Sequence, residues 1–261
     1  MKYLLLIALF ALELFAFMPG QMSVHEANCR DKVKSAELKT SLIKVKDKCF
    51  LLLALPYKSQ AKSVKLCINE DCQSFKTKKP NYKSEQITVA KDKVSPPKAL
   101  LLRIQKERDE ANAIYAKSRA SVSLSKPFAL PLSSKITSPF GTARMFNQSL
   151  KSYHSGTDFR AAVGTPIKAA NDGLVVICKE RYYAGGSVVI DHGAGLFSQY
   201  YHLDKIIAKC GASVKRGDLI GLSGATGRVS GAHLHFGIAL RGLSVDPLSF
   251  VESFNEKLFG K

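Results

Sequence analysis

Six histidines occur in 261 residues, and four of them have neighbours or spacings that suit chemistry. His154-Ser-Gly-Thr-Asp158 places an imidazole and a carboxylate four positions apart. Gly156 between them disfavours a helix, so the pair reads as a loop entering a strand, able to turn both side chains to one point. His233-Leu-His235 lies in a strand-like run, His233–Leu240. Alternate residues of a strand share a face, so both imidazoles point one way and Leu234 points into a core. His202 closes another such run, Phe197–His202. Either spacing alone is ordinarily a solvated pair or two surface histidines. Together they supply the nitrogen and carboxylate donors that suit Zn²⁺. Catalytic zinc takes about three protein ligands and leaves one position open, so five groups exceed what metal binding needs. The surplus histidines fit proton transfer or oxyanion stabilisation. His192, at a turn, reads as scaffold, and His25 as incidental.

These residues need a framework, and the chain from Pro127 onward offers one. Short apolar runs (Gly173–Cys178, Ser187–Asp191, Phe197–His202, Asp218–Leu222, His233–Leu240) alternate with turns rich in Gly, Asn and Asp. That texture predicts an all-β domain over 127–261. Before it, Lys98 to about Arg119 has a helical pattern, with Leu100, Ile104, Ala111, Ile114 and Tyr115 near one face and Lys106 and Glu110 spaced to pair. With the polar stretch after it, this makes a connector over 96–126. Residues 21–95 carry strand-like runs at Cys49–Leu55, Ser63–Ile68 and Gln86–Ala90, ended by Pro96-Pro97, and read as a small β module. The predicted class is mainly β: an antiparallel β domain with a metal groove, preceded by a helix and a cysteine-containing β module.

Cysteine use and the first residues bear on compartment. Four of the six cysteines (Cys29, Cys49, Cys67, Cys72) lie in the module, and Cys178 and Cys210 lie in the C-terminal domain. No C-x2-C pair is present, which favours disulfides within each part over a zinc site. Four cysteines allow three pairings; a small Cys67–Cys72 loop would leave Cys29 with Cys49, and Cys178 with Cys210. Lys2 followed by the apolar run to Phe17 has the layout of a secretory signal over residues 1–20, with Ala16 and Gly20 as candidate ends. The expected location is the periplasm. Formal charge is +18, and residues 1–126 hold 24 basic and 12 acidic residues against 15 and 9 in 127–261. Outside the cytoplasm such charge favours an anionic wall polymer or membrane surface over nucleic acid, which is not expected as a partner.

From about Ile136 to Phe250 the chain resembles the lysostaphin-type, or LytM-domain, zinc metallopeptidases that cut peptidoglycan peptides. The resemblance rests on Ile136-Thr-Ser-Pro-Phe-Gly141, His154-Ser-Gly-Thr-Asp158, Val163-Gly-Thr-Pro166, Ala170-Asn-Asp-Gly173, Val189-Ile-Asp-His-Gly193, Tyr201-His-Leu203, Lys215-Arg-Gly-Asp-Leu-Ile-Gly221, Ser223-Gly-Ala-Thr-Gly227 and His233-Leu-His-Phe236. It implies one Zn²⁺ held by His154, Asp158 and His235, with His202 and His233 flanking the open side as catalytic groups. It further implies a peptidoglycan substrate, with the D-alanyl–diaminopimelate cross-link as target if the wall is of that type. Asn147, on a loop at the expected groove rim, is a candidate substrate contact. Ala232 and Gly237 depart from the Pro and Glu that often flank the last motif, which bears on specificity. Degenerate relatives of this kind act as non-catalytic regulators of other wall hydrolases; here all five groups are intact.

Overall fold

Alternation of buried side chains decides how the N-terminal half is layered. The computed structural model describes residues 16–120 and 124–260; the rest of the leader expected over 1–20 lies outside the described residues. Six strands come first: β1 (Met22–Ala27), β2 (Val33–Lys34), β3 (Lys39–Val45), β4 (Lys48–Ala54), β5 (Ser63–Ile68) and β6 (Asp71–Lys76). The antiparallel sheet β1-β4-β3 is a middle layer, and β4 is its centre. Leu51, Leu53 and Leu55 face a small core with Val64, Leu66, Phe75 and Phe17. Phe50, Leu52 and Ala54 face the other way, into the core of the C-terminal half. The period of two along one strand thus serves two cores. Cys29–Cys49, Cys67–Cys72 and Cys178–Cys210 are the disulfides. Cys67 and Cys72 are direct cross-strand partners in the β5–β6 hairpin.

Next come β7 (Ser84–Ile87) and helix α1 (Lys98–Ala116). β7 leaves the module and pairs in parallel with a strand of the C-terminal half, and its ladder stops short of the expected Ala90. The helix lays Ala111, Ile114 and Tyr115 on Ile177, Val189, Phe197 and Ala239. It ends at Ala116, because Asp191 captures the residues just beyond it: Ser118 Oγ donates to Asp191 at 2.8 Å and the Arg119 amide at 3.1 Å. Glu110 pairs with Lys179 across the interface, and the pair along the helix is Arg103–Glu107 at 2.7 Å.

The C-terminal half holds β8 (Ile136–Ser138), β9 (Ala143–Phe146), β10 (Leu150–Tyr153), β11 (Thr157–Arg160), β12 (Pro166–Lys168), β13 (Gly173–Arg181), β14 (Gly185–Gly193), β15 (Leu196–Ile206), β16 (Ser213–Val214), β17 (Leu219–Ser223), β18 (His233–Leu240), β19 (Leu243–Val245) and helix α2 (Pro247–Phe259). The main sheet runs β16-β13-β14-β15-β18-β11-β8. Along β18, Leu234, Phe236, Ile238 and Leu240 enter the core shared with Met22, Val24, Phe50 and Leu52. Helix α2 caps that core with Phe250 and Phe254, started by Asp246, whose carboxylate accepts from the Leu248 amide at 3.0 Å. Because the shared core takes residues from both halves, the packing does not break where the sequence divides at residue 95. No described helix is long and apolar enough to cross a membrane.

His192 is scaffold, as expected. Its Nδ1 donates to the Asp172 carbonyl at 2.7 Å, and its Nε2 accepts from Ser198 Oγ at 2.8 Å. Burial pushes its pKa down to about 4 against the opposing pull of the Asp172 carbonyl. An unfolded histidine binds its proton near pH 6.5, so the stabilisation present above that value is lost as pH falls toward 4. The expected loss is on the order of 3 kcal/mol for this residue. Urea unfolding of the metal-free protein, compared with His192→Asn, should show the shallower pH dependence in the variant across that window.

Candidate metal centre

Strand register brings the donors together. Asp158 on β11 stands directly opposite His235 on β18, whose other neighbour is Tyr201 on β15. The Tyr201 ring stacks on the His235 ring at 5.4 Å and 4°. His154 comes just after the β9–β10 hairpin and is tied to its base, its amide donating to the Thr142 carbonyl at 2.8 Å. His154 Nε2 then lies 2.9 Å from Asp158 Oδ1 and 3.0 Å from His235 Nδ1, and His235 Nδ1 lies 2.9 Å from the same carboxylate oxygen. All three side chains are buried. Gly156 leaves the room for this: a Cβ there would sit 2.5 Å from His235 Nε2 and 2.5 Å from the Phe236 carbonyl oxygen.

Hydrogen bonding shows why a cation fits. The Pro139 carbonyl, 2.9 Å from His154 Nδ1, requires a proton on that nitrogen. Neutral His154 therefore turns a lone pair on Nε2 toward the Asp158 carboxylate, itself only an acceptor. Two buried acceptors 2.9 Å apart repel unless a cation or an extra proton lies between them. His235 Nε2 has no hydrogen-bond partner among the described residues, which leaves Nδ1 as its functional end. Burial alone would raise the Asp158 pKa, but a proton or positive charge on the facing His154 and His235 nitrogens overcomes this and holds it well below the ordinary carboxylate range, as a cation in the site would. Burial lowers His235 to about 4, against the pull of Asp158, so its lone pair is available at neutral pH. Two imidazoles and one carboxylate oxygen make a donor set that suits a divalent metal.

The other two histidines meet the same rule. His202 Nδ1 donates to the Thr226 carbonyl at 2.8 Å and His233 Nδ1 to the Gly231 carbonyl at 2.9 Å. Each thus keeps Nε2 as an acceptor, and His233 Nε2 is 3.6 Å from Asp158 Oδ1. Their rings are 4.8 Å apart. Burial, then the charges His235 and His233 would carry, hold the His202 pKa well below that of a free imidazole. Its orientation comes from a break in alternation. Tyr200 and Leu203 both enter the core, and His202 has φ 65°, so β15 turns Tyr201 and His202 to the same side. The left-handed conformation is held by its amide, which donates to the Ala184 carbonyl at 2.8 Å.

Sequence reading missed Arg144, Ser138, Glu85 and Tyr201. Arg144 donates to Asp158 Oδ2 at 2.8 Å, and Ser138 Oγ lies 3.3 Å from His154 Nδ1. No spacing announces them; Ser138 and Tyr201 stood within segments that carry the resemblance, but without a role. Asn147, expected on a loop at the groove rim, has both ends of its side-chain amide engaged. Its Oδ1 accepts from the Val89 amide and its Nδ2 donates to the Val89 carbonyl, both at 2.9 Å. The amide is thus spent on another part of the chain, and this also explains why β7 ends before Ala90. A few residues on, the Tyr182 hydroxyl donates to the Asp92 carbonyl at 2.8 Å, and Lys93 lies over the Tyr182 ring at 3.7 Å. Residues 84–93 therefore run from the hairpin beside His154 to the loop beside His202. Arg228 ties the same two walls, lying 4.3 Å from the Phe146 ring and 4.6 Å from the Tyr183 ring.

Residues 152–247 match the profile of Peptidase family M23. The chain belongs to this family. Among M23 relatives, the catalytic domain of lysostaphin from Staphylococcus simulans is 31% identical, with 46% of this chain and 93% of that one covered and a TM-score of 0.42. A Pseudomonas aeruginosa protein assigned to peptidase M23 is 26% identical, with a TM-score of 0.69 over 91% of this chain and 95% of that one. Peptidoglycan DD-endopeptidase ShyA of Vibrio cholerae is 48% identical over 95 residues, 36% of this chain and 22% of the relative. The chain thus spans about a fifth of that relative's length. The M23 match takes in His154, Asp158, His202, His233 and His235, and leaves out Glu85, Ser138 and Arg144.

Two substitutions probe this M23 site. Gly156→Ala should push His235 off its position and weaken metal binding about tenfold or more, read by chelator competition. In the metal-free protein, His202→Gly should be more stable than His202→Ala by about 1 kcal/mol in urea unfolding, because only glycine adopts the left-handed backbone without cost.

Proposed function

We propose that the protein is a periplasmic zinc metalloendopeptidase that hydrolyses peptidoglycan stem-peptide cross-links during wall remodelling, with the D-alanyl–diaminopimelate bond as target. The observation that carries this reading is the convergence of His154 Nε2, Asp158 Oδ1 and His235 Nδ1 beside two further histidines whose Nε2 atoms are free to accept protons. His154, Asp158 and His235 would hold the zinc. Zinc so bound supplies an acidified water near neutral pH and a Lewis acid for the scissile carbonyl.

The chain's own residues account for the rest. Of His202 and His233, one would take the proton of the attacking water at Nε2, and the other, when it carries a proton at its own Nε2, would stabilise the developing oxyanion or protonate the leaving amine. Their Nδ1 protons stay on the Thr226 and Gly231 carbonyls, so each ring cycles a proton at one atom only. The low pKa of His202 keeps it in the acceptor form at neutral pH. Tyr201 fixes the His235 ring by stacking, and Arg144 fixes the Asp158 carboxylate.

Substrate class is supported by the relative named a peptidoglycan DD-endopeptidase and by charge: stem peptides carry carboxylates, and the chain is +18. The basic excess of residues 1–126 would hold the enzyme at an anionic wall or membrane surface. Three disulfides fit an oxidising compartment. Of the two candidate leader ends, the packing favours Ala16. Phe17 is buried in the small core, and the Gly20 carbonyl accepts from the Asp246 amide at 2.8 Å, so a cut after Gly20 would remove both contacts.

Digestion of purified sacculi tests the reading. With zinc, the wild type should convert cross-linked dimers to monomers in muropeptide mass spectra, and His235→Ala should lower the rate by at least about a thousandfold. Loss of only the terminal D-Ala would reassign the bond to a carboxypeptidase. Zinc binding without any cleavage by wild type would favour a non-catalytic regulator of another hydrolase.

A further inference from the structure

We propose that Glu85, which lies outside the M23 match, is a positioning residue of the metal centre that acts through Arg144 on the ligand Asp158. The inference rests on the metallopeptidase reading above and extends its site into the N-terminal half. Glu85 stands opposite Arg144 in the parallel β7–β9 ladder, so backbone register places it there. Arg144 Nε donates to Glu85 Oε1 at 2.6 Å, while the other end of the same guanidinium donates to Asp158 Oδ2 at 2.8 Å. Ser138 joins the two branches: its hydroxyl donates to Glu85 at 3.1 Å, accepts from Arg144 at 3.0 Å and lies 3.3 Å from His154 Nδ1. One carboxylate thereby reaches two of the three ligands through one intermediary each.

Charge explains why the arrangement needs Glu85. Two neutral imidazoles and Asp158 give the site a charge of one negative unit, which attracts a divalent cation. Arg144 cancels that unit at contact distance, and its side chain is only 14% exposed, so water screens it poorly. An uncompensated buried guanidinium would repel the metal it helps to orient. Glu85 neutralises Arg144 at Nε, leaving Nη2 to Asp158, which keeps the orienting hydrogen bond and removes the repulsion. A surface ion pair would contribute little, but this one has its cation buried between two carboxylates and its outcome read at a metal site.

The test uses the full-length chain, stripped of metal, with zinc affinity measured by competition with a chromogenic chelator. Glu85→Gln, which keeps the shape and removes the charge, should weaken zinc binding about 10- to 100-fold. Glu85→Asp, which keeps the charge, should recover most of that loss. In an Arg144→Gln background, Glu85→Gln should have no further effect. Thermal unfolding of each metal-free variant identifies any that has lost its fold, and Glu85→Ala then replaces it as the charge-removing change. The proposal is overturned if Glu85→Gln binds zinc as tightly as wild type, or loses the same factor with Arg144 absent. If wild type itself binds no zinc, the metallopeptidase reading falls first and takes the proposal with it.

Discussion

An imidazole nitrogen and a carboxylate oxygen buried 2.9 Å apart, His154 Nε2 and Asp158 Oδ1, set the terms for the rest of this molecule. A folded chain does not bring acceptors so close without something to hold them. Here the holding is done by register. Asp158 and His235 are fixed as cross-strand partners, and the hairpin before His154 is tied to the start of the motif. Main-chain carbonyls complete the control. Pro139 after β8, and Thr226 and Gly231 on the loop between β17 and β18, each claim an Nδ1 proton and so decide which nitrogen of His154, His202 and His233 faces inward. The fold thus determines protonation geometry as well as position.

The same centre explains why the two halves are joined so firmly. Beyond the shared core, residues 84–93 cross from the β9–β10 hairpin to the loop at Tyr182, and each end is held by side-chain hydrogen bonds. That crossing delivers Glu85 to Arg144. Helix α1 secures the opposite end of the same sheet face, where Tyr115 accepts from Gln199 at 2.7 Å. A Cβ at Gly237 would meet the Gln199 amide oxygen at 2.6 Å, so the departure from the usual residue at that position makes room for the helix contact.

Much of this was legible in the residues. The five chemical groups were found by type and spacing, and strict alternation correctly put His233 and His235 on one face with Leu234 in the core. The strands Ser63–Ile68 and His233–Leu240 fall where the pattern puts them. What alternation could not supply was the orientation of His202, because a left-handed residue breaks the period on which the reading depends. The expected strand to Ala90 and helix to Arg119 both ran long for one reason: a side chain distant in sequence, Asn147 in one case and Asp191 in the other, takes over the backbone at their ends. Arg144 and Glu85 left no trace, since 59 residues separate them and a parallel ladder unites them.

The two-faced strand β4 has a consequence for how far the M23 unit can stand alone. Recognition by sequence isolates residues 152–247 as though they were a cassette, yet Phe250, Phe254 and Leu240 are covered by Met22, Val24, Phe50 and Leu52. Lifting the cassette out would leave a broad apolar wound on the sheet and take a carboxylate from behind the candidate metal centre. In this chain the M23 unit is therefore not separable on its own: excised, it would need a replacement for its floor.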